Sequence, residues 1–162
     1  MTDPATTRTT PTAHPGATPP VLRHLHCCGC AADVLARLTD GREVYPHRPD
    51  LARLPFWRCD ACGLHVGCHH KTRDRTRPLG AIPTAAIRTA RRHIQTILDP
   101  IWKSGQMSRD DLYARLSATL GRPYHTGDLR TLDEARVVRQ AVRQIARDTM
   151  AAPATHPAPG PR

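Results

Sequence analysis

In the second half of the chain, hydrophobic residues recur at the spacing of a helix. From Ile87 onward an apolar position returns every three or four residues to about Leu98, and Thr84 is suited to cap the N-terminus. Asp99-Pro100 should kink this helix or restart it as a short turn, because proline lacks an amide donor and disfavours helix at the preceding residue. The pattern predicts a first helix from about residue 84 to about residue 98.

Two further helices are predicted after it. Ser108 opens a stretch that resembles a capping box, and Gly121 offers the C-terminal stop of the second helix. Thr131 and Glu134 form a cleaner capping box, which predicts a third helix to about Asp148. The buried stripes expected of these two helices are Leu112, Leu116 and Leu120, then Ala135, Val138, Val142 and Ile145.

The first half of the chain has a different pattern, with short apolar-polar runs broken by turn residues. Residues 34–38 and 43–45 are joined through residues 39–42, whose Asp-Gly pair is a hairpin signal. Residues 55–58 and 64–66 predict a second short hairpin. We therefore expect a small β module before the helices.

The cysteines in this β module form a candidate metal centre. Cys27 and Cys30 make one C-x2-C pair, and Cys59 and Cys62 make another after 28 intervening residues. Each pair on a tight turn can aim two thiolates at one point, so two pairs complete a tetrahedral shell. Gly63 follows the second pair, where such a turn often needs a backbone free of Cβ clash. Because disulfides are the weaker explanation in an intracellular protein, we predict one structural Zn²⁺.

Other cysteines and histidines leave the ligand set open. Cys28 adjoins the first pair, and Cys68 suits a small buried residue. The nearby histidines, any of which could complete a mixed shell, are His26, His65, His69 and His70. Four thiolates would leave no open position for water or substrate, so we expect the metal to hold structure rather than catalyse. Spacing alone does not distinguish zinc from iron.

Length and composition set the expected domain organisation. The chain has 162 residues, which fits one folded unit, and nine of its 16 prolines fall near its two ends. We predict an α+β fold in which a small four-cysteine zinc-ribbon-like β module precedes a three-helix region. The expected segments are a disordered tail at 1–20, a zinc-finger module at 21–70, a basic linker at 71–83, a helical region packed on the finger at 84–149 and a disordered tail at 150–162.

The order of the motifs resembles a known family. After the first C-x2-C come Trp-x-Cys-x2-Cys at 57–62, His-Val-Gly-Cys-His at 65–69, Pro-Leu-Gly at 78–80 and an Asp-Pro-Ile-Trp-Lys-Ser-Gly-Gln-Met-Ser-Arg run at 99–109. Over roughly residues 26–147 the chain is similar to the small zinc-finger-containing domain family of unknown function found in phage and bacterial genomes. The resemblance implies the same four zinc ligands and implies no established activity.

The charge balance favours an anionic partner. Lys and Arg number 24 against 14 Asp and Glu, a formal net charge of +10, which attracts nucleic acid. The basic residues group as a loop (Lys71, Arg73, Arg75, Arg77), a stripe on the third helix (Arg136, Arg139, Arg143, Arg147) and a cluster on the first helix (Arg88, Arg91, Arg92, with Gln95). We predict a non-catalytic zinc-held module that contacts DNA or RNA through the loop and the stripe. For each group, a solvated surface is the alternative interpretation.

Two other functions stay open. A protein-interaction or phage-host adaptor would dock through the helices and bind no nucleic acid, and residues 107–120 weakly resemble a helical segment of bacterial oligomerisation tails, which keeps a homo-oligomer open. A zinc-knuckle nuclease of the His-Asn-His kind is prompted by His47, which lies between the two cysteine pairs. The chain contains no Asn, however, so we expect no enzymatic activity.

The hydropathy pattern also bears on location. No stretch approaches the roughly 18 apolar residues of a membrane span, and the beginning of the sequence lacks the apolar run of a secretory signal. We therefore expect a cytoplasmic protein without a membrane partner.

Overall fold

The computed structural model describes residues 19–151. Four strands form one antiparallel sheet in chain order: β1 (Leu22–Cys27), β2 (Ala32–Asp40), β3 (Pro55–Arg58) and β4 (His65–Gly67). The helices are α1 (Gly41–Val44), α2 (Ala85–Lys103), α3 (Arg109–Leu120) and α4 (Leu132–Ala151), with single 3-10 turns at Pro49–Leu51 and Thr126–Asp128. A small sheet followed by helices confirms the predicted α+β fold.

Most of the two tails predicted at 1–20 and 150–162 lies outside the described residues. The described part consists of residues 19–20, which precede β1, and residues 150–151, which belong to α4. The third predicted helix therefore runs to Ala151, slightly beyond its expected end near Asp148. None of the described helices combines the length and apolar character that crossing a bilayer requires.

One predicted hairpin is confirmed and the other is wrong. Residues 55–58 and 64–66 do form a hairpin, in which Trp57 lies opposite Val66. Residues 43–45 form no strand, because β3 already occupies the edge of β2 and places Trp57 opposite Leu38. Instead Asp40 ends β2 and caps α1, its side chain accepting a hydrogen bond from the Arg42 amide at 3.0 Å. The Asp-Gly signal thus marks a helix start.

The three predicted helices form, and local capping explains their ends. Thr84 Oγ1 accepts from the Ile87 amide at 3.3 Å, and Ser108 Oγ accepts from the Asp111 amide at 3.0 Å. Gly121 ends α3 in the left-handed conformation, with φ of 65°. The expected capping boxes and C-terminal stop are therefore present. Thr131 and Glu134 also exchange both bonds of their capping box.

The first of these helices, α2, is longer than predicted. It does not end or restart near Leu98 but continues through Pro100 to Lys103. Proline removes one backbone hydrogen bond, yet Leu98 and Ile101 on either side of it are both buried in the helical core. Burial of these two side chains stabilises the helix past the proline.

Two separate hydrophobic cores support the molecule. The sheet core contains Trp57, Val66, Ala36 and three of the cysteines, and the helical core joins α2, α3 and α4. Ile82, which lies between the two regions in sequence, is fully buried in the sheet core. Its amide donates to the His26 carbonyl at 2.8 Å and its carbonyl accepts from the Cys28 amide at 2.9 Å. The segment before α2 is therefore tied to the end of β1.

Two glycines allow close backbone contact where the sheet region meets the helical region. Gly80 and Gly127 bring two backbone segments into direct contact, and the Ala81 amide donates to the Gly127 carbonyl at 2.9 Å. A Cβ on Gly127 would overlap the Leu79 carbonyl, which is backbone and cannot rotate away. The junction therefore requires glycine at this position.

We expect Gly127→Ala to lower the free energy of unfolding by about 2–3 kcal/mol, because the added carbon must push two backbone segments apart. Gly121→Ala is the matched control: nothing lies near its Cβ position, so it should cost only the left-handed strain of about 1 kcal/mol. Chemical denaturation of both variants measures the difference. Equal losses would show that the junction is not tightly packed.

Candidate metal centre

Four cysteine thiols lie together at one end of the sheet. The Sγ atoms of Cys27, Cys30, Cys59 and Cys62 are all within 4.8 Å of one another. Cys27 Sγ lies 3.5 Å from Cys62 Sγ, and Cys30 Sγ lies 3.7 Å from Cys59 Sγ. A tetrahedral ion with bonds of ~2.3 Å separates its sulfurs by about 3.8 Å, whereas a disulfide would need ~2.05 Å. The cluster is therefore positioned to bind one metal ion.

The topology of the sheet explains why residues so distant in sequence meet. The first cysteine pair lies on the turn between β1 and β2, and the second lies on the turn between β3 and β4. Because strand direction alternates in this sheet, these two turns lie at the same end. The intervening stretch of the chain, which includes α1 and a 3-10 turn, connects β2 to β3 at the opposite end.

Both cysteine turns share one backbone feature. The residue after the second cysteine of each pair has a positive φ, which is 52° at Ala31 and 77° at Gly63. Gly63 adopts this conformation freely, as the sequence analysis predicted, while Ala31 is strained by it. The two turns are therefore alike in shape but unequal in strain.

Burial raises the pKa of the thiols, whereas backbone hydrogen bonds lower the pKa of Cys27 and Cys59. Burial raises the pKa of Cys27, against a backbone hydrogen bond from Cys30 that lowers it. Burial also works to raise the pKa of Cys59, but backbone and side-chain hydrogen bonds from Cys62 outweigh it and this pKa is lowered. Contacts with the Cys62 and Cys59 thiols raise the pKa of Cys30 to about 12. Four thiolates at this spacing need a bound cation, so metal binding is coupled to proton release.

The alternative ligands lie outside the thiol cluster. Cys68 is buried in the sheet core, where burial raises its pKa to about 11. His26 hydrogen-bonds Asp33 at 3.0 Å, and His65 hydrogen-bonds the Tyr45 hydroxyl at 2.8 Å. The remaining candidates, Cys28, His69 and His70, are not among the residues of the cluster either.

An ion-pair network supports the second cysteine turn, and no sequence pattern indicated it. Arg37 of β2 donates to Asp60, which lies inside the Cys59–Cys62 pair, at 2.8 and 2.9 Å. Arg37 also binds Glu43 of α1 through two hydrogen bonds. These bonds hold the pKa of Glu43 at about 2 and lower that of Asp60. Because both folded pKa values are depressed, the stabilisation is present at neutral pH and is lost on strong acidification.

The two basic surfaces predicted to contact nucleic acid differ in how exposed and how ion-paired their cations are. The basic loop (Lys71, Arg73, Arg75, Arg77) is exposed, and none of its cations pairs with a carboxylate of residues 19–151. Asp74 lies within this loop, but its carboxylate accepts from the Thr76 amide and hydroxyl instead. The loop therefore keeps its positive charge.

The arginine stripe on α4 (Arg136, Arg139, Arg143, Arg147) is less available. Arg136 pairs with Asp133, and Arg139 is half-buried in a groove between α2 and α4. Arg143 and Arg147 remain exposed. Only part of the stripe is therefore free to contact a partner.

A third basic surface lies between the sheet and the helices. Here β3 and β4 face α2 and α3 across a cleft of about 430 Å³, which we call the basic cleft. Its lining includes Arg88, Arg91, Arg92 and Arg109, and no carboxylate of the described chain lines it. The first three belong to the cluster noted on the first predicted helix, whereas the convergence of Arg109 and the sheet on them has no signal in the sequence.

His47, the residue that prompted the nuclease hypothesis, is exposed in the connection between β2 and β3. Within residues 19–151, the four-cysteine cluster is the only group of His, Cys, Asp and Glu arranged to hold a metal. His47 therefore lies in no second metal cluster of the described chain.

Comparison with known proteins agrees with the geometry. A family model described as a zinc-finger-containing domain matches residues 23–148, from β1 into α4. No curated protein and no solved structure matches the chain significantly.

The unequal turns lead to a paired prediction. Ala31→Gly should stabilise the metal-loaded protein by about 1 kcal/mol, because it removes left-handed strain, and Gly63→Ala should destabilise it by about the same amount. A Cβ at position 63 would have its nearest neighbour at 3.8 Å, so backbone conformation alone decides the second effect. Thermal unfolding with excess metal measures both. Shifts of the same sign would contradict the assigned turn conformations.

Metal removal should affect the two cores differently. In a Trp102→Phe variant, Trp57 in the sheet core is the one remaining tryptophan. Excess chelator should shift its fluorescence to longer wavelength, while most helical circular dichroism persists because the helical core contains none of the ligands. Parallel loss of both signals would instead show a single cooperative unit.

Proposed function

The chain belongs to the family of zinc-finger-containing domains, and we propose that this protein is a non-catalytic module in which one structural Zn²⁺ holds the sheet while the surrounding basic surface binds nucleic acid.

The donor set supports zinc as the metal. Four thiolates in a tetrahedral arrangement are the preferred shell of structural zinc sites, and the sulfur separations match that geometry. The fully protein-supplied shell also supports a structural role, because a catalytic zinc keeps one position for water or substrate.

The observation that carries the nucleic-acid proposal is the basic loop. Its four cations are exposed and lack carboxylate partners in the described chain, whereas many other arginines are ion-paired, among them Arg37, Arg48 and Arg115. Unpaired surface cations release counterions when they bind phosphates, and this release drives salt-dependent association. Phosphate contacts of this kind carry little sequence information, so we expect weak sequence preference.

We expect a loop variant with Lys71→Gln, Arg73→Gln, Arg75→Gln and Arg77→Gln to bind labelled nucleic acid more weakly and with less salt dependence. Loss of four phosphate contacts should reduce the slope of log affinity against log salt by about 3 for single strands. Fluorescence anisotropy across a salt series, with single- and double-stranded DNA and RNA, measures both quantities.

The matched control removes the same charge from arginines that already have carboxylate partners. It replaces four such arginines by Gln: Arg42, Arg48, Arg115 and Arg122, which pair with Asp40, Asp50, Asp148 and Glu134 respectively. This variant should lose much less affinity than the loop variant. Equal losses would show that net charge, and not the loop, drives binding. If the zinc-loaded wild-type protein bound no nucleic acid at low salt, the proposal would fail and a protein partner would become the leading alternative.

A further inference from the structure

The basic cleft has the size of a ligand site and lies between the sheet and the helices. One wall comes from the sheet and the other from α2 and α3, whose buried faces belong to the helical core. Its volume of about 430 Å³ falls within the ~300–1,000 Å³ of typical small-ligand pockets. A concave site of this size can hold one nucleotide but not a convex duplex.

The charge in the cleft is not neutralised. Arg88, Arg92 and Arg109 form no ion pair with any carboxylate of residues 19–151. Beneath them, Arg91 is largely buried and donates only to backbone carbonyls, those of Ala81 at 3.0 Å and Leu129 at 2.6 Å. Its Nε is buried without a partner in the described chain. An anion in the cleft would therefore meet the guanidinium groups of Arg88, Arg92 and Arg109, and no carboxylate of the described chain lines the cleft.

Two histidines that line the cleft, His65 and His69, have lowered pKa values. Burial lowers the pKa of His65, and the neighbouring Arg88 lowers it further. Burial likewise lowers the pKa of His69, together with the nearby Arg77 and His125. His65, His69 and His125 all line the cleft, and His125 lies 3.7 Å from the Asp128 carboxylate. The positive charge of Arg88 disfavours a second positive charge on His65, an effect that a bound phosphate group would oppose.

Aromatic rings line the cleft beside the charged groups and offer surfaces on which a base can stack. Arg109 lies over the Tyr113 ring, with its guanidinium carbon 5.4 Å from the ring centroid, which holds a planar guanidinium at the cleft wall. Tyr45 is fixed on the opposite side by the His65 hydrogen bond. Bases stack on aromatic rings and on guanidinium planes of this kind.

The cleft also continues toward the basic loop. His69 and Leu79 line both the cleft and a neighbouring apolar cavity, and Lys71, the first residue of the loop, lines that cavity too. A single-stranded nucleic acid that leaves the cleft in this direction would next meet the cations of the basic loop.

We infer that the basic cleft binds one nucleotide unit of a single-stranded nucleic acid, with the phosphate on Arg88, Arg92 and Arg109 and the base against the aromatic walls. The inference rests on the proposed function and assigns it a site and a substrate class. It separates strand-specific binding in the cleft from general phosphate contacts at the loop.

The test uses an Arg88→Gln/Arg92→Gln variant of the zinc-loaded full chain and a labelled 15-nucleotide single strand beside a duplex of equal length. Single-strand affinity should fall at least about tenfold and its salt slope by about 1.4, while duplex affinity changes little. Arg48→Gln/Arg115→Gln removes the same charge from ion-paired positions outside the cleft and should leave both affinities nearly unchanged. Zinc content and circular dichroism establish that each variant is folded.

A second measurement does not depend on any variant folding. A single strand carrying 5-iodouracil should photocrosslink to peptides that contain Tyr45 or Tyr113 in the wild-type protein. Crosslinks confined to the loop, or unchanged single-strand affinity in the cleft variant, would overturn the cleft assignment while leaving nucleic-acid binding intact. If adenosine monophosphate bound as tightly as the single-stranded nucleic acid, the cleft assignment would be overturned in favour of a free nucleotide. Absence of any nucleic-acid binding by wild-type protein would overturn both proposals.

Discussion

The convergence of four thiols at one end of a small sheet is the constraint on which the sheet and its junction with the helices depend. β3 and β4 have only four and three residues, and the sheet core is small, with Cys27, Cys59 and Cys68 among its few buried residues. A sheet of this size buries too little apolar surface to be strongly stable by itself. One metal ion bound by the four thiols would crosslink the two turns and compensate for that small core, because metal binding then contributes directly to folding.

The end of the sheet that carries the thiols also positions the helices. Cys28 and His26, beside the first ligand, form the backbone bonds that hold Ile82, and Ile82 leads directly into α2. On the other side of the junction, Gly80 lies against Gly127. The metal centre, the buried isoleucine and the glycine contact thus form a continuous path from the sheet to the helices. This path sets the distance between the two layers and so creates the basic cleft.

Charge is distributed unequally over this framework. Around α1 and the second cysteine turn, Arg37 and Arg58 are satisfied by Glu43 and Asp60. These ion pairs support local structure and leave little net field. In the cleft and the basic loop, by contrast, the cations lack carboxylate partners in the described chain. The acidic residues therefore pair with arginines where they fix structure, whereas none lines the cleft and the one in the loop, Asp74, bonds Thr76 instead of a loop cation.

What the sequence determined by itself was encoded within a few residues. Each of these features depends on neighbours only a few positions away. They are the C-x2-C pairs, the glycine after the second pair, the helix caps at Thr84, Ser108 and Thr131 and the stop at Gly121. Tertiary structure decided what depended on competition between distant segments. The strand β1 went unrecognised, and Asp40-Gly41 began a helix because β3 had taken the edge that a hairpin would need. Likewise α2 passed through Pro100 because the residues beside it are buried in a core formed with α3 and α4. The cleft could not be predicted from the sequence for the same reason. Packing between the sheet and the helices brings Arg88 and Arg109 to it, and no local sequence pattern indicates which faces will meet.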